Sequence, residues 1–168
     1  MPAPTPADVA IDAEHPDDAA AILAINEQAF GPGRHARAAA RVRERGPHDR
    51  ALSFVARRGD RPIGSVRLTA ISVDGTLGHL LGPLAVVPEL KHHGIGRALI
   101  ERACEAARSA GEGQFVLLVG DAPYYERHGF ALVRGPIMPG PVDPSRLLVR
   151  WHGKAEPLHG PVLHANDA

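Results

Sequence analysis

A single cysteine, Cys104, occurs in the 168 residues, so no internal disulfide is available and the cysteine alone cannot build a structural zinc site. Charge of one sign is not in excess: nineteen basic residues face nineteen acidic ones. That balance excludes a protein that holds nucleic acid or an anionic membrane by bulk charge. No apolar run approaches the ~18–20 residues of a membrane-spanning helix. The start, Met1-Pro2-Ala3-Pro4-Thr5-Pro6, has neither a positive charge cluster nor an apolar stretch and does not read as a signal peptide. Ten histidines are present, yet there is no His-Glu-x-x-His and no Cys/His cluster, so no metal is expected. The absence of Gly-x-Ser-x-Gly leaves a serine hydrolase without support. Lysine is also scarce: only Lys91 and Lys154 stand beside seventeen arginines. With abundant Ala, Gly and Pro, this fits a GC-rich coding bias better than a functional arginine code. The expectation is a cytoplasmic domain with neither nucleic-acid nor membrane partner.

What is present suits one domain, since ~150 residues bury a continuous core. Residues 1–8 read as a flexible leader, 9–151 as the domain and 152–168 as a C-terminal tail. A short strand is expected at Val9–Ala13, and a helix from His15-Pro16-Asp17-Asp18 to Gly31, with acidic residues at its positive end. A second helix spans roughly Arg34–Arg45. Extended segments follow at Leu52–Arg57, Ile63–Val73 and His79–Val87, with Asp74-Gly75 as a hairpin turn. The helix Gly94–Ala110 carries an apolar stripe of Leu99, Ile100, Ala103, Cys104 and Ala107. Phe115–Val119 is a buried strand, Ala122–His128 a short helix, and strands near Phe130–Val133 and Leu147–Trp151 complete the map. Helices, then hairpins, then β-α-β give an α/β class with one mixed sheet.

The chemistry concentrates in Leu84-Ala85-Val86-Val87-Pro88-Glu89-Leu90-Lys91-His92-His93-Gly94-Ile95-Gly96-Arg97. A buried strand runs through a loop into a helix with two glycines at its start. The first N–H groups of a helix have no intrahelical partners, and the usual Ser, Thr, Asp or Asn cap is missing. Glycine lets a bulky group approach, and the helix dipole favours an anion. Lys91 and Arg97 add positive charge, so the segment reads as a phosphate cradle. Its spelling is not that of a P-loop, because Arg97-Ala98 follows Gly96. Nor is it a Rossmann fingerprint, because Leu99 occupies the third glycine position.

A second motif, Tyr124-Tyr125-x-x-x-Gly129-Phe130, lies one helix and one strand further on. Together the two blocks resemble the GNAT superfamily of acetyl-CoA-dependent N-acetyltransferases, closest to a branch of small bacterial members, over about residues 9–151. The resemblance implies a single mixed, mostly antiparallel sheet flanked by helices, and acetyl-CoA as cosubstrate. It places the pantetheine on the backbone of Leu84, Ala85 and Val86. The pyrophosphate falls on the loop and helix start: Lys91, His92, His93, Gly94, Ile95, Gly96 and Arg97. Tyr125 becomes the general acid for the departing thiolate, and an N–H near Val86 polarises the thioester carbonyl. The implied partner is a small-molecule or peptide amine, and a homodimer is compatible with the family. Two departures stand out: Lys91 replaces the usual Gln or Arg, and Asp121 stands where many members have Asn.

Other residues divide between function and structure. Tyr124 reads as packing and Cys104 as an inert core thiol. Arg34, Arg37, Arg41 and Arg45 repeat at helical spacing and read as a solvated helix face in preference to a contact for an anionic substrate. Candidates for a general base are Glu27, His79, Glu89 and Asp121, alongside a water chain. Two alternatives stay open: a non-catalytic acetyl-CoA sensor with the same fold, and a nucleotide-dependent oxidoreductase.

Overall fold

The computed structural model describes residues 6–31 and 37–167. Strand β1 (Val9–Ala13) leads through a 3-10 turn at Pro16–Asp18 into helix α1 (Ala19–Phe30). The turn is closed reciprocally: the His15 ring accepts from the Asp17 N–H, and the Asp18 carboxylate accepts from the His15 N–H. Helix α2 (Ala38–Arg43) follows and is shorter than its periodicity suggests; positions 34–36 of the expected helix, and the greater part of the expected leader, lie outside the described residues. Strands β2 (Asp49–Arg58), β3 (Arg61–Val73) and β4 (Thr76–Val86) form an antiparallel meander. Asp74 and Gly75 make the β3–β4 turn with φ of 50° and 80°, the left-handed pair that a two-residue hairpin loop requires.

Helix α3 (Ile95–Ala110), strand β5 (Phe115–Val119) and the short helix α4 (Ala122–Glu126) come next, followed by β6 (Ala131–Leu132), β7 (Pro136–Ile137), β8 (Leu147–Trp151) and β9 (Gly160–His164). The main path of the sheet runs β1-β2-β3-β4-β5-β8-β6, antiparallel except where β4 meets β5. The sheet is therefore mixed and mostly antiparallel, as expected.

Alternation along the strands separates two cores. Val116 and Leu118 of β5 face one side with Leu81 and Ala85 of β4, where they pack on Leu99, Ile100, Ala103, Cys104 and Ala107 of α3. Phe115 and Leu117 face the other side with Leu80, Ile71, Val73 and Val42 of α2. The α3 stripe is buried as its 3.6-residue spacing requires.

The segment after Trp151 is not a loose tail. Strand β9 pairs with β3 at Ile71–Val73, on the edge left free once β2 has ended its pairing at Leu68. Val162 and His164 are buried there, and the His164 ring meets the Pro47 carbonyl at 2.9 Å.

Ion pairs tie the first segment to the sheet. Arg57 forks onto Asp18 at 2.8 and 2.6 Å. Glu14, only 7% exposed, accepts from Arg67 at 2.8 Å and also meets the His48 ring. Burial alone would raise the Glu14 carboxyl, but its bonds to His48 and Arg67 outweigh that and hold it below its ordinary value of 4.5. A lowered carboxyl contributes stability that is present above the ordinary value and lost as pH falls through the folded one. Glu14→Gln is expected to cost roughly 1.5–3 kcal/mol in denaturant unfolding at neutral pH. Its deficit relative to the parent protein should shrink as pH drops below about 4.5; a deficit independent of pH would contradict this account.

Candidate functional site

The site begins where two strands part. β4 and β5 are paired only at His79–Val116 and Leu80–Leu117, although β4 continues to Val86 and β5 to Val119. Beyond that point β4 takes an extra residue relative to β3: Leu68 pairs with Leu81, but Val66 pairs with Leu84. Gly82 and Pro83 fill this bulge, and Pro83 has no N–H to offer a neighbouring strand. The β5-facing backbone edge of Leu84, Ala85 and Val86 is thereby left to line a cleft.

That cleft, about 900 Å³, is closed at one end by the start of α3. Gly94 takes φ 79°, a left-handed conformation that a side chain would resist, and delivers the chain into Ile95 with no side-chain cap on the helix. Lys91, His92, Gly94, Ile95, Gly96 and Arg97 all line it; His93 is exposed and does not. Lys91, Arg97 and Arg127 bring positive charge to the cleft beside the N-terminus of α3, and among the described lining residues the carboxylate is that of Glu101. Glu101 is already engaged by Arg150 at 3.3 Å and the His128 ring at 3.4 Å. The arrangement suits a polyanion approaching along β4.

Gly96 has a steric duty that its sequence context hides. A Cβ at this position would lie 3.0 Å from the Tyr124 hydroxyl. Tyr124, read from sequence as packing, therefore also presents its hydroxyl at the cradle. Asp121 positions it by accepting from the Tyr124 N–H at 3.3 Å, capping α4.

Tyr125 lies behind Tyr124, edge-on to it at 4.9 Å between ring centres, and edge-on to Phe130 at 5.8 Å. Burial first, then the neighbouring Tyr124, pushes its phenol up to about 12, so it stays protonated at neutral pH. Gly120 makes room for the ring: a Cβ there would overlap it, coming within 2.9 Å of Cδ2. Gly120→Ala should displace Tyr125 and cost about 1–3 kcal/mol of stability through overpacking. If Tyr125 serves as the general acid that the sequence resemblance implies, turnover should fall more than acetyl-CoA affinity; unchanged turnover in a folded variant would show that the ring position is not needed.

A second cleft of about 800 Å³ opens from the first. Phe30, Leu84, Lys91, Tyr124 and Tyr125 line both. Its other walls come from α2, the β4 bulge, the end of β5 and residues 141–146, and they include Arg37, Arg43, Asp121, Asp143 and Arg146. None of these positions except Asp121 stood out as functional in the sequence. Glu101, Arg127 and His128 of the first cleft were equally unmarked.

The base candidates scatter. Glu27, His79 and Glu89 line neither cleft, and Glu89 pairs with Arg61 at 2.8 Å. Asp121 does line the second cleft, with its carboxylate serving the α4 cap. His79 is 2% exposed, and desolvation holds it below its ordinary value. It groups with Asp49 and Glu112, their ligand atoms within 4.8 Å of one another, three positions that no local motif connects. The expected arginine face stays at the surface: Arg37, Arg41 and Arg45 are exposed, Arg37 stacking on Phe30 at 5.2 Å, Arg41 donating to the Pro139 carbonyl at 2.9 Å and Arg45 pairing with Asp167 at 2.9 Å. Arg34 lies outside the described residues.

Comparison with known proteins places this geometry in a family. A model described as an acetyltransferase (GNAT) domain matches residues 49–132. The uncharacterized N-acetyltransferase YjhQ of Escherichia coli strain K12 is 37% identical over 117 residues, covering 67% of this chain and 64% of that protein. The chain thus matches slightly less than two thirds of that relative's length. Among solved structures, the GNAT family N-acetyltransferase YhbS from Escherichia coli in complex with CoA superposes with a TM-score of 0.77 at 25% identity, covering 96% of this chain and 92% of that one. A GNAT family acetyltransferase from Brucella melitensis in complex with acetyl-CoA gives 0.69 at 26% identity, covering 95% and 98%.

Proposed function

The chain belongs to the GNAT acetyltransferase family, and from that premise we propose that it transfers the acetyl group of acetyl-CoA to a primary amine by direct attack in a ternary complex. The observation that carries this is the continuity of the two clefts through Leu84 and Tyr125. One half suits the pantetheine and pyrophosphate; the other suits an acceptor that meets the thioester where β4 and β5 part. CoA-bound relatives of the same fold support this use of the first half.

The neutral amine attacks the thioester carbonyl, forming a C–N bond. The C–S bond then breaks, and the electron pair leaves on sulfur. The proton lost by nitrogen passes to solvent, and Tyr125 supplies the hydrogen that meets the departing sulfur, being reprotonated from solvent in turn. A backbone N–H near Val86 polarises the carbonyl oxygen. Among the described residues no Cys, Ser or Thr lines either cleft. Cys104 is buried, and burial pushes its thiol up to about 12. Direct attack therefore needs no acyl-enzyme on these side chains.

Incubating the full chain with acetyl-CoA and a broad panel of primary amines, with free CoA thiol as readout, tests this. Amine-dependent thiol release is the expected result. Acetyl-CoA binding with no release by any amine would favour the sensor reading. No binding of acetyl-CoA would remove both.

A further inference from the structure

We propose that the acceptor half of the cleft recognises a carboxylate or phosphate group carried by the amine substrate, with Arg43 as its principal contact. The amine itself rests on the acetyltransfer reading above; the anion site rests on the charges of the cleft alone. In a chain of zero formal net charge, the described residues lining this cleft include four cationic side chains, Arg37, Arg43, Lys91 and Arg146, against two carboxylates. Neither carboxylate is paired to them. Asp121 caps α4, and Asp143 accepts from the Ser145 N–H at 2.9 Å and hydroxyl at 2.8 Å.

Arg43 differs from the other partly buried arginines. Arg57 has Asp18, Arg67 has Glu14 and Arg150 has Glu101. Arg43 is half-buried on α2 and makes no hydrogen bond or ion pair among the described residues. The charges that act on it are chiefly repulsive: Arg37 and Arg67 oppose it, and only Glu44 attracts. Glu14 is no remedy, because Arg67 and His48 already share it. Burial and these neighbours lower Arg43 to about 10, which still leaves it charged at neutral pH. An unpaired guanidinium withdrawn from water is costly unless an anion completes it, and its planar fork matches carboxylate and phosphate oxygens.

The location sets the size of the ligand. A Cβ on Gly82 would stand 3.4 Å from Arg43 Nη1. Gly82 precedes Leu84 by two residues on β4, through the bulge, a span of at most about 7 Å. An acceptor that places its anion at Arg43 and its amine at the gap beside Leu84 and Tyr125 is therefore a small molecule or the end of a peptide.

Matched amines test the proposal in the full chain. Free amino acids and their amides form one arm; phosphoethanolamine and ethanolamine form the other. Thiol release from acetyl-CoA and calorimetric titration of the amines into the protein with and without CoA are the two readouts. The anionic member of at least one arm should be preferred by roughly tenfold or more in kcat/KM or in affinity, and the preferred arm identifies the anion. Arg43→Gln should erase that preference, chiefly through KM, without weakening acetyl-CoA binding, and Arg43→Lys should restore part of it. If Arg43→Gln does not fold, Arg43→Lys and Arg146→Gln must each reduce the preference. Neutral amines used or bound equally well, or a preference that survives these changes, would overturn the anion site. If acetyl-CoA fails to bind while the anionic amines still bind through Arg43, the acetyltransfer reading falls and the anion site stands. If no amine is turned over, the titration decides, and anionic amines that do not bind overturn the proposal.

Discussion

Tyr125→Phe should lower turnover by roughly a hundredfold while leaving acetyl-CoA affinity almost unchanged. The substitution keeps the ring that packs against Tyr124 and Phe130 and removes only the hydroxyl. General acids contribute roughly 10²–10⁴-fold, and the raised phenol argues for the lower end. A donor at about 12 lies well above an ordinary thiol near ~8.5. Complete proton transfer to a free thiolate would be uphill by about 5 kcal/mol at ~1.4 kcal/mol per pKa unit. In the proposed mechanism Tyr125 would therefore act mainly through a charge-assisted hydrogen bond as negative charge grows on sulfur, before the proton is fully passed. Single-turnover kinetics at saturating acetyl-CoA measure the effect free of product release. Parent-like turnover in a folded Phe variant would remove Tyr125 from the mechanism, and the neighbouring Tyr124 hydroxyl would be the next group to test.

Gly96→Glu should weaken CoA binding about a thousandfold. A carboxylate carried at this position would face the phosphates that the proposal seats at the helix start, and two like charges ~4 Å apart repel by about 4 kcal/mol at an effective dielectric near 20. Gly96→Ala separates charge from bulk: its Cβ would crowd the Tyr124 hydroxyl at 3.0 Å, which a side-chain end can relieve by a small shift. Less than a tenfold loss is expected for Ala. Titration with CoA reads both variants, and equal losses would mean that space rather than the phosphate charge governs the site. Raising the salt should weaken binding by the parent protein, since the attraction between phosphates and Lys91, Arg97 and Arg127 is screened.

The elements legible in the sequence were those whose signals are local. Leu99, Ile100, Ala103, Cys104 and Ala107 recur at helical spacing, and all are buried on α3. Asp74-Gly75 announces its turn by residue type alone, and the two-residue β3–β4 connection follows. β9 gave no such signal: it opens with Gly160-Pro161, one of its two buried residues is a histidine, and its partner β3 lies some ninety positions earlier.

The site divides in the same way. The cradle at Gly94–Arg97 and the placement of Tyr125 are written in contiguous residues, because one loop and one short helix supply them. The meeting of Tyr124 with Gly96 joins two elements, and no local pattern encodes it. The acceptor half draws single residues from α2, the β4 bulge and the 141–146 loop, so Arg43 is invisible until the fold brings those segments together.

Transfer of an isotopically labelled acetyl group is the most direct test of the central claim. With labelled acetyl-CoA, the full chain and an amine found by thiol release, mass spectrometry follows the label through a single turnover. The account predicts label on the amine nitrogen, one CoA thiol released for each product formed, and none on the protein at any time. Label on Cys104 or any other side chain before it reaches the amine would contradict direct attack, and label that never leaves bound acetyl-CoA would contradict catalysis altogether.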